Sequence, residues 1–228
     1  MSGCILKLIA ALSMLIDHAG LLLFPGAHWM RIAGRLAFPI YAYFIAEGFR
    51  YTRSRKRYFL RIFLLGLACQ TVYTIADRTL YLGILLTFSF SILLMWLTDA
   101  ARRAFREHTP DRYLRAAAAA AATLAAALLC HFVTVDYGFF GILTPVLASL
   151  FDDKPSRIAA LSLGLAAVAT AELLGGNTTQ LASAFAVPLL ALYNGKPGRY
   201  RLKTFFYLFY PTHLALLQLI AWLLPARG

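Results

Sequence analysis

The chain has 228 residues, of which 61% are apolar and only 14% are charged, and its formal net charge is +12. Soluble domains are about 45–50% apolar and about 25% charged, so this composition excludes a soluble globular domain and is typical of an integral membrane protein. The basic residues lie mainly between apolar stretches, where topology and anionic headgroups explain them before nucleic acid does. We expect one membrane domain, residues 1–228, and no nucleic-acid partner.

Apolar stretches follow one another along the whole chain. A membrane-crossing helix needs about 20 such residues, and about 17 is the practical minimum. The fold class is therefore an all-α, polytopic bundle of about nine transmembrane helices. Two predicted spans, 139–150 and 181–193, are short and are expected to be shielded half-helices or tilted segments. The predicted spans are residues 5–24, 36–50, 58–75, 81–98, 114–133, 139–150, 158–174, 181–193 and 205–224.

Basic residues cluster after every second predicted span. They follow spans two, four, six and eight, whereas the other loops hold little beyond Arg31, Arg35 and Arg78. The positive-inside rule then places the N-terminus in the cytoplasm. The residues that follow the even-numbered spans are Arg50, Arg53, Arg55, Lys56, Arg57, Arg61, Arg102, Arg103, Arg106, Arg112, Arg115, Lys154, Arg157, Lys196, Arg199, Arg201 and Lys203.

The first span contains the adjacent pair Asp17 and His18. Ionisable residues at membrane depth are costly and mark functional sites by default. At a rise of about 1.5 Å per residue, His18 lies about 20 Å from Ile5, beyond the midplane. Consecutive residues point about 100° apart, so the two side chains do not form a mutual dyad but can face one cavity. The alternative is a buried polar cluster that joins neighbouring helices.

The second span carries polar residues at every fourth position, which places them on one slowly rotating face. Arg35 stands at its outer end, where it either pairs with Asp17 or binds substrate. The residues Asp136 and Tyr137 open the sixth span on the outer side. The candidate substrate-binding residues are Tyr43, Glu47, Asp136 and Tyr137.

The last span contains Tyr210, Pro211 and His213. Proline has no N–H, so Pro211 frees a carbonyl and tends to kink the helix. His213 falls about 13 Å from the inner end, at a depth similar to that of His18. Two imidazoles near one level of a membrane domain favour proton chemistry over packing.

These residues belong to stretches that resemble the TraX family: residues 6–20, 31–54, 56–66, 136–143 and 209–214. The resemblance extends along most of the chain and is densest from residue 6 to residue 66. The TraX family is associated with N-terminal acetylation of conjugative pilin. The resemblance therefore implies an acetyltransferase in the bacterial cytoplasmic (inner) membrane.

The first span is also similar to that of membrane acyltransferases of the acyltransferase-3 type. Those proteins carry a basic residue, a small-residue patch and a histidine there, and Lys7 precedes His18 by eleven residues in like arrangement. The histidine is regarded as catalytic in that family. The resemblance implies that His18 is the catalytic residue, either as a general base or as a transient acyl carrier.

The same mechanism suggests roles for the neighbouring polar residues. His213 is the alternative base. Asp17, or an acid on another helix, would orient the imidazole, and Asp17 is otherwise the counter-ion of Arg35. Either Arg35 or Tyr210 would stabilise the oxyanion.

Acetyl-CoA is the expected co-substrate, and no metal is expected. Its pantetheine arm would pass between helices and present the thioester near His18. Arginine forks suit phosphates, although topology alone would explain any single basic residue. The candidates for holding the CoA phosphates are Arg50, Arg53, Arg55, Lys56 and Arg57.

The acceptor is expected to be a peptide N-terminus, an amino sugar or a glycan, with membrane lipids as further partners. A proton-coupled small-molecule transporter is the main alternative, since buried Asp, Glu and His residues also occur in carriers. However, the two halves of the chain show no inverted repeat. A third alternative is a non-catalytic membrane scaffold.

Overall fold

The computed structural model describes residues 1–77, 81–199 and 202–224, and the elements in these ranges are almost all helices. The chain divides into two compact units: unit 1 is residues 1–41 with 169–228, and unit 2 is residues 42–168. The elements are α1 (Gly3–Leu22), α2 (His28–Gly34), α3 (Ala37–Tyr51), α4 (Arg55–Asp77), β1 (Tyr81–Leu82), α5 (Ile84–Arg106), α6 (Arg112–Phe132), β2 (Thr134–Val135), α7 (Gly138–Ser149), α8 (Lys154–Leu174), a 3₁₀ helix η1 (Thr179–Phe185), α9 (Ala186–Ala191) and α10 (Lys203–Leu223).

The predicted all-α membrane fold is confirmed. Each of the nine predicted spans corresponds to helical structure, the eighth of them as η1 followed by α9. Five helices in the described part of the chain are long and apolar enough to cross a membrane: α1, α5, α6, α8 and α10. The number of crossings and the cytoplasmic N-terminus stay predictions. Arg78 and Arg201, which were used to predict the topology, lie outside the described residues.

Unit 1 is built around α1, which packs against α2 and α10. The Ser2 hydroxyl caps the first turn of α1 by accepting a hydrogen bond from the N–H of Ile5 (3.5 Å). Gly20 allows α2 to approach closely, since a Cβ there would lie 2.7 Å from the Cβ of Met30. These contacts hold α2 against the C-terminal half of α1, the half that carries Asp17 and His18.

Helix α2 was not anticipated, since residues 25–35 lie between the first two predicted spans. It has seven residues, which is too short for an apolar period to be recognised. The Ser13 hydroxyl of α1 donates to the carbonyl of Ala33 in α2 over 2.5 Å. The segment between the first two spans is therefore a packed part of unit 1.

Unit 2 is centred on α5, which contacts α4, α6 and α7. Its buried hydroxyls are satisfied by carbonyl oxygens, as burial requires. Ser91 donates to the carbonyl of Ile142 (2.8 Å) and Thr87 to that of Asp136 (3.0 Å). Strands β1 and β2 form a short parallel pair beside these helices. The prediction of one domain over residues 1–228 stays a prediction.

Candidate functional site

The side chain of His18 meets that of His213 within unit 1. The His18 Nδ1 atom lies 2.8 Å from the His213 Nε2 atom, and the ring centroids are 5.0 Å apart at an interplanar angle of 30°. The other ring nitrogen of His213, Nδ1, lies 2.6 Å from the backbone oxygen of Phe209. Helix α10 thus supplies the partner of the His18 imidazole, 195 residues away in the chain.

The Phe209 carbonyl fixes the proton positions in a neutral histidine pair. A carbonyl oxygen only accepts, so His213 must carry its proton on Nδ1. The His213 Nε2 atom then holds a lone pair, and His18 must donate to it from Nδ1. The remaining lone pair, on His18 Nε2, has no hydrogen-bond partner in the described part of the chain. The arrangement therefore leaves a lone pair on Nε2 of the half-buried His18 imidazole.

Aromatic side chains hold His213 in place. The Phe209 ring stacks on it with centroids 4.7 Å apart at 11°, and the Tyr210 ring meets it edge-on at 5.8 Å. His213 is only 4% exposed. Tyr210, the predicted oxyanion stabiliser, therefore lies beside the histidine pair. These ring contacts help to direct the Nε2 atom of His213 toward His18.

Asp17 faces two arginines of the segment that follows α1. Its Oδ2 atom lies 2.8 Å from Arg31 Nη1, and its Oδ1 atom lies 3.6 Å from Arg35 Nη2. Asp17 was predicted either to orient the His18 imidazole or to act as counter-ion of Arg35. The observed contacts favour the second role. The partner that contacts the imidazole of His18 is His213 rather than Asp17.

Gln180 of η1 completes this cluster. Arg35 Nη1 donates to Gln180 Oε1 over 3.4 Å, and both side chains are buried, with residue exposures of 8% and 1%. A guanidinium has donors only, so the amide of Gln180 must turn its oxygen toward Arg35. The Nε2 group of the same amide lacks a hydrogen-bond acceptor among the described residues.

Gly34 lets α2 lie directly against Asp17. A Cβ atom at position 34 would overlap the Oδ1, Cβ and Cγ atoms of Asp17. The absence of a side chain at Gly34 is therefore a condition for the ion pairs of Asp17.

We expect Gly34→Ala to lower the stability of the protein by about 1–3 kcal/mol, the usual cost of overpacking a tight contact. This cost outweighs the better helix propensity of alanine, worth up to about 1 kcal/mol. Thermal unfolding in detergent micelles measures it. Gly26→Ala is the matched control, since a Cβ there meets nothing within 4 Å. Equal unfolding temperatures of the two variants would show that the ion pairs of Asp17 do not require glycine at position 34.

The predicted phosphate-binding cluster lies in unit 2, where two of its members are already paired. Arg50 Nη2 lies 3.4 Å from the carboxylate of Asp152. Arg55 Nη1 lies 2.5 Å from Asp99, and its guanidinium stands over the ring of Phe49 at 4.6 Å. The other three members are exposed, and the structure assigns them no ion pair within its described ranges: Arg53, Lys56 and Arg57.

The predicted substrate-binding residues Tyr43 and Glu47 form a buried cluster with Arg157 in unit 2. The guanidinium of Arg157 bonds the carboxylate of Glu47 and stands 4.8 Å from the ring centroid of Tyr43. Arg157 was used in the sequence analysis only to predict topology. Its burial, with 4% of the residue exposed, was not predicted. A buried pair of this kind holds α3 to α8 within this unit.

Asp136 and Tyr137, also predicted to bind substrate, form a backbone corner in unit 2. The Asp136 Oδ1 atom accepts from the Tyr81 hydroxyl over 2.7 Å, and its N–H bonds the carbonyl of Leu82 (2.9 Å). Tyr137 has a φ of 60°, an uncommon left-handed conformation for a residue with a side chain. Gly138 follows with a φ of 58°, which costs glycine little.

Sequence reasoning missed Arg31 and Gln180 as members of the site. For Arg31 a signal existed, because it precedes Arg35 by four residues and helical spacing puts both on one face. Gln180 gave no local signal, since its contact with Arg35 spans 145 residues. The described residues contain no cluster of three or more His, Cys, Asp or Glu side chains that could hold a metal ion.

Comparison with known proteins identifies the family of this chain. The model of the family described as "TraX protein" matches residues 2–221. A probable fimbrial assembly protein FimC of Dichelobacter nodosus is 28% identical over 93% of this chain and 92% of its own length. Protein TraX of Escherichia coli is 27% identical over 95% of this chain and 86% of its own. No solved structure matches. The chain belongs to the TraX family of membrane proteins.

Proposed function

We propose that this protein is a membrane acyltransferase that moves an acetyl group from acetyl-CoA to an amine or hydroxyl acceptor, with His18 as the general base. The observation that carries the proposal is the hydrogen-bonded pair of His18 and His213. Its proton order directs a lone pair on His18 Nε2 away from the pair. Histidine is the side chain best suited to such proton transfer near neutral pH.

The proposed reaction needs one base and no further reagent. His18 Nε2 removes a proton from the acceptor nitrogen or oxygen as that atom attacks the thioester carbonyl carbon. The carbon–sulfur bond then breaks, and the thiolate of CoA takes the proton back from His18 to leave as the thiol. A transient acyl group on His18 Nε2 is the alternative route to the same products.

In this proposal His213 is a positioning residue. It acts through His18, because its bond to Phe209 sets the tautomer of both rings. A cation formed on His18 would be shared with His213 through their hydrogen bond. Tyr210 and Arg35 remain the candidates for stabilising the oxyanion of the tetrahedral intermediate.

We further propose a pilin or fimbrial subunit N-terminus as the acceptor. The names of two relatives, a fimbrial assembly protein and Protein TraX, support this choice. The proposed link to acyltransferase-3 enzymes rests on the arrangement of Lys7 and His18 in α1. The bacterial inner membrane is the proposed location.

Binding of acetyl-CoA to the purified protein separates the enzyme from a transporter of other solutes and from a scaffold. The experiment is a titration of detergent-solubilised protein with acetyl-CoA, followed by calorimetry. We expect saturable binding of one acetyl-CoA per chain. Heat changes no larger than those of the detergent blank would contradict the proposal.

We expect the CoA phosphates to bind the open members of the basic cluster. Replacing Arg53, Lys56 and Arg57 together by alanine should weaken acetyl-CoA binding about tenfold or more and reduce its salt dependence, because exposed charge contacts are screened by ions. Calorimetry at two salt concentrations measures both effects.

The matched control for the cluster is a triple alanine variant of basic residues elsewhere in unit 2. Arg102, Arg106 and Arg112 suit this purpose, because they change the net charge by the same amount. Unchanged affinity in the cluster variant would leave membrane topology as the explanation of Arg53, Lys56 and Arg57.

A further inference from the structure

A groove lies between α5 and α6 in unit 2, at the end where α5 finishes and α6 begins. It is open to the surface and has a volume of about 490 Å³. Its floor consists of Phe105, one threonine and alanines from both helices: Ala101, Ala116 and Ala119. Both helices are long and apolar enough to cross a membrane. An opening between them near their joined ends therefore lies close to the membrane surface.

Two arginines also line this groove. Arg102 and Arg106 are four residues apart, which places them on one face of α5. Both are exposed, and neither forms an ion pair within the described ranges of the chain. Arg103, on another face, is paired with Asp99 over 3.0 Å. The groove therefore combines an apolar floor with two unpaired positive charges.

The segment around the groove has an excess of positive charge. Residues 99–115 contain five arginines and three acidic residues, which gives a net charge of +2. Two of the acidic residues, Asp99 and Asp111, are held in ion pairs with arginines that do not line the groove. The remaining acid is Glu107. An anionic ligand is therefore complementary to this end of α5 and α6.

Aromatic side chains beside the groove are typical of the membrane–water interface. The rings of Phe105 and Tyr113 meet edge-on with centroids 5.6 Å apart, and Tyr113 is 65% exposed. The guanidinium of Arg112 stands 4.9 Å from the centroid of the Tyr113 ring. Tyrosine is enriched where membrane proteins pass through the headgroup level. The arginines of the groove are thus expected at the level of the lipid phosphates.

These features narrow the class of ligand. An alkyl chain suits the apolar floor, whereas a nucleotide would find few polar partners for its base and ribose there. Guanidinium groups bind phosphate oxygens well. Basic pockets between membrane-crossing helices are known binding sites for anionic lipid headgroups. A phospholipid with a net negative headgroup meets both requirements at once.

We infer that the groove between α5 and α6 is a binding site for one anionic phospholipid. One acyl chain lies on the alanines and Phe105, and the phosphate lies between Arg102 and Arg106. The inference is independent of the proposed acyl transfer, since no residue of the groove takes part in that reaction.

The test is native mass spectrometry of the purified full-length protein in detergent micelles. Phosphatidylglycerol, which is anionic, and phosphatidylcholine, which has no net charge, are added in equal amounts with the same acyl chains. We expect one phosphatidylglycerol to remain bound per chain, with at least a fivefold preference over phosphatidylcholine. Equal retention of the two lipids would overturn the inference.

Arg102→Gln with Arg106→Gln tests the charges of the groove. We expect the preference for phosphatidylglycerol to fall below twofold, because both phosphate-binding guanidinium groups are lost. Arg112→Gln with Arg115→Gln is the matched control: it removes the same charge from the same segment, and neither residue lines the groove. An equal loss of preference in both variants would assign it to the general charge of the segment and contradict the site.

Ala116→Leu with Ala119→Leu tests the apolar floor. The larger side chains would occupy the space of the acyl chain, so we expect phosphatidylglycerol retention to fall at least fivefold. Ala117→Leu with Ala120→Leu is the control, because it adds the same residues at the same spacing on the exposed face of α6. Unchanged retention in the groove variant would contradict the inference.

Two other occupants are separated by the same spectra. We expect saturating acetyl-CoA to leave phosphatidylglycerol bound, and the groove variants to bind acetyl-CoA normally in lipid-free detergent. Displacement of the lipid by acetyl-CoA would assign the groove to CoA and contradict the inference. Dimers that become monomers when the groove is filled, without any lipid preference, would assign it to a second copy of the chain and also contradict it.

Discussion

Replacing His18 by asparagine is expected to lower acetyl transfer about 10²–10⁴-fold, the range that a general base contributes. Asparagine places an N–H close to the position of the imidazole Nδ1, so the hydrogen bond to His213 Nε2 can persist. It has no basic nitrogen at the position of Nε2. The variant should therefore unfold at the same temperature as the unchanged protein and still fail in the reaction.

Transfer of label from acetyl-CoA to an acceptor measures this effect. His131→Asn is the matched control, since His131 is exposed on α6 in unit 2 and the proposed reaction gives it no role. We expect that variant to keep the activity of the unchanged protein. Full activity in His18→Asn, or an equal loss in both variants, would contradict the assignment of the base.

Replacing Asp17 by alanine is expected to destabilise the protein by about 3 kcal/mol, the lower end of the range for breaking a buried ion pair. The loss leaves Arg31 and Arg35 without the carboxylate that both contact. The side chains of Asp17 and Arg35 are 16% and 10% exposed, so water can screen little of the resulting repulsion. Unfolding in mixed micelles measures the change in free energy.

Asp152→Ala is the matched control for Asp17. It also removes an aspartate from an arginine, Arg50, but its side chain is 90% exposed. Exposed pairs contribute about 0–1 kcal/mol, so we expect little change. The double variant Asp17→Ala with Arg31→Met should recover part of the lost stability by removing one unpaired charge. Equal costs for Asp17→Ala and Asp152→Ala would contradict the buried role of Asp17.

Local pattern was enough to predict the helical membrane fold and the positions of most helices. The apolar stretches of residues 5–24 and 114–133 differ from the observed α1 and α6 by no more than two residues at each end. Helices in a membrane satisfy their own backbone groups, so an apolar run is a direct signal of a helix. The short α2 lacked such a run and was missed.

Pairings between distant residues were beyond the reach of a single sequence. The depth of His18 and His213 could be matched by counting residues, but their direct contact depends on how α1 and α10 rotate against each other. The proton order of the pair depends further on the Phe209 carbonyl, a backbone atom that no residue pattern reveals. Gln180 joined the arginine cluster through tertiary packing alone.

The fate of an acetyl label tests the proposed chemistry most directly. Purified protein is reconstituted in vesicles and mixed with acetyl-CoA labelled in the acetyl group and with a peptide that has a free N-terminus. We predict that the label moves to the peptide nitrogen, that CoA thiol is released in equal amount, and that both stop in His18→Asn. Label that stays on CoA, whether outside the vesicles or carried into them, would contradict an acyltransferase.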